Sequence, residues 1–177
     1  MNIKRTQLTL QRISRIAILS ALCVVFRYAF ATLPNIQPIT AIFLIVSIIF
    51  GIGDSLLIMA VTMLVSSFLL GFGPWVFFQI LSFAVVLCLW RFLLYPLTKI
   101  LKFDKIKTVT LQAFLAGMMG IIYGLVIDSC YAFLYNMPWW SYVLAGASFN
   151  LAHALSTLLF YPLLLPILRR FSDEKVV

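Results

Sequence analysis

Residues 108–135 read TVTLQAFLAGMMGIIYGLVIDSCYAFLY, an apolar stretch whose one charged residue is Asp128. A helix that crosses a membrane needs about 20 mostly apolar residues, so this stretch predicts a transmembrane helix. A carboxylate near the centre of such a helix costs about 2.5–3.5 kcal/mol and normally faces the bundle interior or water. The stretch therefore predicts a membrane protein with a polar feature inside its helical bundle.

The composition of the whole chain agrees with this prediction. Hydrophobic residues make up 64% of the 177 residues, charged residues make up 10%, and the mean hydropathy is +1.11. Soluble domains contain about 45–50% apolar and about 25% charged residues, so the composition excludes a soluble enzyme. We therefore expect one all-α domain over residues 1–177, a multi-pass helical bundle in the cell membrane.

Proline- and glycine-rich connections divide the chain into six predicted spans. Their approximate bounds are 13–32, 39–50, 55–70, 75–96, 108–135 and 139–168. The second and third spans are shorter than about 20 residues, so they either thin the bilayer or lie behind longer neighbours. The main alternative merges these two spans into one re-entrant hairpin.

The basic residues predict the orientation of the bundle. Eleven of the 13 Lys and Arg residues lie before the first span, between the fourth and fifth spans, or after the sixth span. They are Lys4, Arg5, Arg12, Arg15, Lys99, Lys102, Lys105, Lys107, Arg169, Arg170 and Lys175. The opposite connections, residues 33–38, 71–74 and 136–138, carry no charge. By the positive-inside rule both termini are cytoplasmic.

Two ionisable residues inside spans are candidates for function. Arg27 in the first span and Asp128 in the fifth lie at similar predicted depths, whereas Arg91 is close enough to the cytoplasmic side to reach it. Either Arg27 and Asp128 form a structural ion pair, or one of them faces a ligand cavity. Asn150 and His153 share one face of the sixth span, where a lone histidine is more often a hydrogen-bonded interior residue.

Amide and aromatic residues gather on the uncharged side, which indicates an interfacial belt, a pocket for a large planar polar molecule, or both. The candidate binding residues are Asn35, Gln37, Trp75, Gln79, Asp128, Tyr131, Tyr135 and Trp139. The sequence contains no GxxxxGK[ST] loop for ATP and no metal-binding or nucleophile–base set. We expect neither an enzyme nor a cofactor or metal of its own.

Small residues predict close helix contacts in two spans. Ala17 and Ala21 form an AxxxA pair in the first span, and Ala116, Gly117 and Gly120 form a similar face in the fifth. Such faces allow helices to approach one another closely.

With six helices, cytoplasmic termini and this AxxxA pair, the whole chain resembles the substrate-binding S component of energy-coupling factor (ECF) vitamin transporters. Residues 33–40 (LPNIQPIT) and 67–75 (SFLLGFGPW), together with Gln79, are most similar to the cobalamin-specific branch of lactobacilli. The resemblance implies that the chain captures vitamin B12 on the outer face. It also implies docking through Ala17 and Ala21 onto a transmembrane coupling protein, with ATP used by two cytoplasmic ATPase subunits.

Two alternatives to cobalamin uptake stay open. Riboflavin or a queuosine precursor suits the same types of residue. A small carrier or channel that works without partner subunits is the alternative from another functional class.

Overall fold

The computed structural model describes residues 3–101 and 103–170, and this part of the chain is all-helical. It folds into six helices, and Lys102 and Lys175 of the predicted basic clusters lie outside the described residues. The helices are α1 Ile3–Ala29, α2 Ile39–Ile49, α3 Ile52–Leu70, α4 Trp75–Ile100, α5 Lys105–Leu134 and α6 Trp139–Arg170. Five of them are long and apolar enough to cross a membrane, and α2 is the exception.

Helix α2 lies at the centre of the bundle. Its 11 residues reach roughly 16 Å at 1.5 Å per residue, about half of a hydrocarbon core. Ten of these residues are buried, and α2 contacts each of the other five helices. The short second span therefore lies behind longer neighbours, which is one of the two arrangements predicted from the sequence.

The third predicted span is longer than expected. Helix α3 begins at Ile52 rather than Ser55 and runs for 19 residues. Gly51, at φ 93°, separates it from α2 in a conformation that L side chains rarely adopt. By length and composition α3 is able to cross a membrane by itself, whereas α2 is not.

Helix α4 continues past Pro96, where the sequence predicted its end. A π-helical turn over Trp90–Leu94 precedes the proline, and the backbone N–H of Tyr95 donates to the carbonyl of Trp90. Proline lacks an N–H and clashes with the carbonyl four residues earlier, and the wider turn accommodates it. The helix then reaches Ile100.

Helices α5 and α6 form the closest pair in the bundle. A Cβ placed on Gly120 would lie 2.8 Å from Ala154 Cα, and one on Gly117 would lie 3.1 Å from Leu158 Cβ. Glycine at these positions lets the two backbones approach, as the small-residue pattern of the fifth span predicted. This close contact forms one wall of the bundle interior.

Charged contacts gather at one end of the bundle, which we call the basic end. Arg12 Nε donates to Asp54 Oδ1 at 2.6 Å and Arg15 Nη2 donates to Asp54 Oδ2 at 2.8 Å, so α1 is tied to the first turn of α3. The Arg15 guanidinium also lies 4.0 Å from the centre of the Phe50 ring. The α4–α5 connection and the end of α6 lie at the same end because successive helices alternate in direction.

Candidate functional site

Two adjoining cavities lie at the other end of the bundle, which we call the cavity end. The smaller measures about 70 Å³ and the larger about 360 Å³. They share Asn35, Gln79 and Tyr123. The smaller is also lined by Arg27, Gln37, Ile39, Thr40, Met63, Phe83 and His153, and the larger by Ile127, Asp128, Tyr131, Tyr142, Ala145, Gly146, Phe149 and Asn150.

Arg27 lies on the wall of the smaller cavity and is only 9% exposed. Its Nη1 donates to Ser66 Oγ at 2.7 Å and to Met63 Sδ at 3.1 Å, and its Nη2 donates to Gln79 Oε1 at 2.7 Å. These contacts join α1 to α3 and α4. They also hold the Gln79 amide with its oxygen turned toward the guanidinium, at the junction of the two cavities.

Asp128 lies on the wall of the larger cavity and is 7% exposed. Its Oδ2 accepts a hydrogen bond of 2.8 Å from Asn150 Nδ2, across the α5–α6 contact. A Cβ on Gly146 would lie 2.5 Å from the same oxygen, and a Cβ on Gly124 would overlap the Asn150 amide. Two glycines therefore provide the space that this polar pair occupies.

Arg27 and Asp128 do not form an ion pair. Within the described ranges, the acidic groups that pair with Lys or Arg are Asp54 and Asp104, both at the basic end. Arg27 and Asp128 each have separate neutral partners, and each lines a cavity. Of the two interpretations left open by the sequence, the ion pair is not formed, and a role in ligand binding stays a prediction.

Tyrosine rings form a flat wall beside Asp128. Tyr131 stacks on Tyr142 with ring centres 5.8 Å apart and on Tyr135 with ring centres 6.1 Å apart, nearly parallel in both cases. Phe78 meets the Tyr131 ring edge-on at 5.5 Å. Stacked faces of this kind suit a planar ring system.

The loop between α1 and α2, residues 30–38, covers the cavities at the cavity end of the bundle. Asn35 has a left-handed backbone (φ 58°), which asparagine tolerates better than most residues, and its Nδ2 donates to the carbonyl of Phe149 at 3.2 Å. The backbone N–H of Gln37 donates to Ser156 Oγ at 2.9 Å, and that hydroxyl donates to the carbonyl of Gln37 at 3.0 Å. The loop is thereby attached to α6.

His153 is a hydrogen-bonded interior residue. Its Nε2 lies 2.8 Å from Thr40 Oγ1 on α2, and its ring lies 4.7 Å from the Tyr123 ring. Across the described residues, no group of three or more His, Cys, Asp or Glu side chains is placed to hold a metal ion. Through its contact with Thr40, His153 connects α2 to α6 beside the smaller cavity.

The structure brings five of the eight sequence-predicted binding residues to the cavities. Asn35, Gln37, Gln79, Asp128 and Tyr131 all line them. The remaining three lie outside both cavities and are exposed, namely Trp75 (39%), Tyr135 (58%) and Trp139 (55%). Trp139 Nε1 donates to Ser129 Oγ at 2.8 Å, as in an interfacial aromatic residue.

Sequence reasoning missed several lining residues. Tyr123 is buried on α5 between the cavities, and Tyr142, Gly146 and Phe149 lie on one face of α6. The spacing of these α6 residues, continued by Asn150 and His153, is helical and marks a single stripe. That stripe was the signal in the sequence that could have identified these residues.

A membrane-type helical bundle with polar and charged side chains converging on a cavity at one end defines a ligand-binding membrane protein. Residues 11–165 match the family model described as "ECF transporter, substrate-specific component". The chain belongs to this family, whose members are substrate-binding subunits of transporters and are not enzymes. Comparison with curated proteins and with solved structures gave no match.

Proposed function

We propose that this S component captures a vitamin-type molecule at the cavity end, which faces the outside of the cell. The observation that carries the proposal is the pair of adjoining polar cavities containing Arg27 and Asp128. Buried ionisable groups inside a membrane bundle are expensive, and the usual reason to keep them is a ligand or an ion. The positive-inside rule supports this orientation, because it favours a cytoplasmic position for the basic end, opposite the cavities.

The shape of the site supports a ligand with a planar polar ring. The larger cavity combines the tyrosine wall with the Asp128–Asn150 pair and the Gln79 amide. Its volume of about 360 Å³ is at the lower end of the range of about 300–1,000 Å³ for small-molecule sites. A flavin-sized molecule suits this space as it stands.

Cobalamin is the ligand that we propose from the sequence resemblance. One of the two resembling segments, residues 33–40, supplies four cavity residues, Asn35, Gln37, Ile39 and Thr40. A whole corrinoid is several times larger than the cavities, so its binding requires the α1–α2 loop to move away from α6. Hydrogen bonds to Phe149 and Ser156 hold this loop, and they are the contacts that must break.

Helix α1 supports docking to a coupling protein. It is the least buried of the five long helices, and both Ala17 and Ala21 are exposed on it. An apolar groove of about 600 Å³ lies nearby at the basic end, lined by residues that include Leu10, Ile18 and Leu168. We propose that this side of α1 contacts the transmembrane coupling protein, whose two ATPase subunits supply the energy for uptake.

Isothermal titration of the detergent-purified chain tests the proposal. Cyanocobalamin and riboflavin are titrated separately, and we expect saturable binding of one ligand per chain for cyanocobalamin. Binding of riboflavin instead would retain vitamin capture and refute the cobalamin assignment. Binding of neither, together with solute flux through liposomes containing this chain alone, would refute vitamin capture and support a self-sufficient carrier.

A further inference from the structure

The charge of Arg27 is not neutralised by the described part of the protein. Its three hydrogen-bond acceptors are a hydroxyl, an amide and a thioether, all of them uncharged. Among the described acidic residues, Asp54 pairs with Arg12 and Arg15, and Asp104 pairs with Lys107. Asp128, on the wall of the other cavity, is bonded to Asn150.

Neutral acceptors satisfy N–H groups but do not balance a buried positive charge. A guanidinium remains protonated in proteins, and buried charges are normally paired with an opposite charge. The three contacts use three of the five guanidinium N–H groups and leave two that they do not occupy. Arg27 is therefore a buried cation on the wall of a cavity, with donor groups beyond those that its neutral partners occupy.

The size of the adjacent space limits what can reach this guanidinium. The smaller cavity measures about 70 Å³. An apolar cavity of about 150 Å³ is large enough for benzene, so the smaller cavity holds a group of a few atoms but not a ring. A phosphate or a carboxylate has the required charge and size, and both match the guanidinium fork with two parallel hydrogen bonds.

We propose that Arg27 determines ligand specificity by binding an anionic group, a phosphate or a carboxylate, of the captured molecule. This inference rests on the proposed function and adds the chemical class of the ligand. The anionic group enters the smaller cavity, and the part of the molecule next to it lies in the larger cavity beside the tyrosine wall. Gln79, shared by both cavities and bonded to Arg27, contacts the ligand at the junction.

The test compares compounds that differ in one group. Cobinamide, cobinamide phosphate and cobyric acid share the corrin ring and carry a neutral, a phosphate and a carboxylate side chain, respectively. Riboflavin and flavin mononucleotide form a second pair. We expect the wild-type chain to bind an anionic compound about tenfold or more tightly than its neutral counterpart in isothermal titration. Whichever anion is preferred identifies the group that Arg27 binds.

Substitutions at Arg27 assign the preference to this residue. Arg27→Gln should bind neutral and anionic compounds alike, and Arg27→Lys should keep part of the preference. Arg91→Gln is the matched control, because Arg91 is a half-buried arginine in α4 that lines neither cavity, and its preference should equal that of the wild type. If Arg27→Gln does not fold, the wild-type comparison and Arg27→Lys still decide.

Two results would overturn the proposal in different ways. Equal wild-type binding of neutral and anionic compounds, or an unchanged preference in Arg27→Gln, would refute the role of Arg27 and leave vitamin capture standing. If the wild type binds none of the five compounds and does not bind cyanocobalamin either, the proposed function is refuted and this inference with it.

Discussion

Replacing Gly120 by alanine should destabilise the bundle, because the added methyl group meets backbone atoms that cannot rotate away. The new Cβ would lie 2.8 Å from Ala154 Cα and 2.9 Å from its backbone nitrogen, whereas ordinary contact begins at 3.4 Å. Helix α6 must therefore retreat from α5 by roughly half an ångström at this point. Asn150 and Asp128 lie one and two turns farther along the same contact, so the larger cavity should change shape as well.

The expected loss of stability follows from two opposing terms. Overpacking a well-packed interior costs about 1–3 kcal/mol, and alanine in place of glycine inside a helix recovers about 1 kcal/mol. The net loss is up to about 2 kcal/mol. For a chain of this length, about 2–4 °C per kcal/mol gives a decrease of up to about 8 °C in Tm.

Thermal unfolding of the detergent-purified chain, followed by circular dichroism, measures this decrease. Two further glycines provide controls on the same scale. Gly117→Ala should be intermediate, since its Cβ would lie 3.1 Å from Leu158 Cβ, and Gly53→Ala should be neutral or stabilising, since its nearest neighbour is 3.9 Å away. A Gly120→Ala variant as stable as Gly53→Ala would refute the packing argument.

Three further predictions concern docking, the basic end and the cavity. Substituting Ala17 and Ala21 by leucine should abolish uptake in vesicles that contain the coupling module and leave ligand binding intact; loss of binding would contradict a docking role. Asp54→Asn should lower stability by about 1–2 kcal/mol in thermal unfolding, because it weakens two ion pairs of a buried carboxylate; the loss stays this small because both arginines are partly exposed. Asp104→Asn, at an exposed residue, should have no effect, and equal effects of the two substitutions would count against this reasoning. Tyr142→Ala should weaken ligand binding roughly two- to tenfold in titration, and Tyr142→Phe should not, because the stacked ring provides the contact.

The helical architecture was predictable because its signals are local. Apolar runs define the helices, and prolines and glycines mark the connections between them, as at Pro34, Gly71 and Pro138. The predicted end of α4 at Pro96 was wrong because a π-helical turn accommodates that proline. The sequence left open whether the short helix α2 thins the bilayer or lies behind longer helices, because the length of a helix does not show which neighbours surround it.

The site was predictable only in part because it depends on how the helices are rotated. Arg27 and Asp128 were identified because a charged side chain inside a membrane costs free energy. Their similar predicted depths were compatible both with an ion pair and with a ligand cavity. The rotation of α1, which turns Arg27 toward Ser66 and Gln79, depends on contacts between helices. Tyr123 was missed because nothing in its own helix distinguishes an aromatic residue between two cavities from one in the core.

The central position of α2 has a consequence for how the chain is assembled. A segment of 11 residues is too short to be stabilised as an independent transmembrane helix, and almost none of its surface is left for lipid. Its side chains, Ile42 to Ile45 among them, are fully enclosed only when the later helices have closed around them. We therefore expect α2 to reach its native place late in biogenesis. A ribosome-bound chain that ends before α6 would still hold α2 in an incomplete environment.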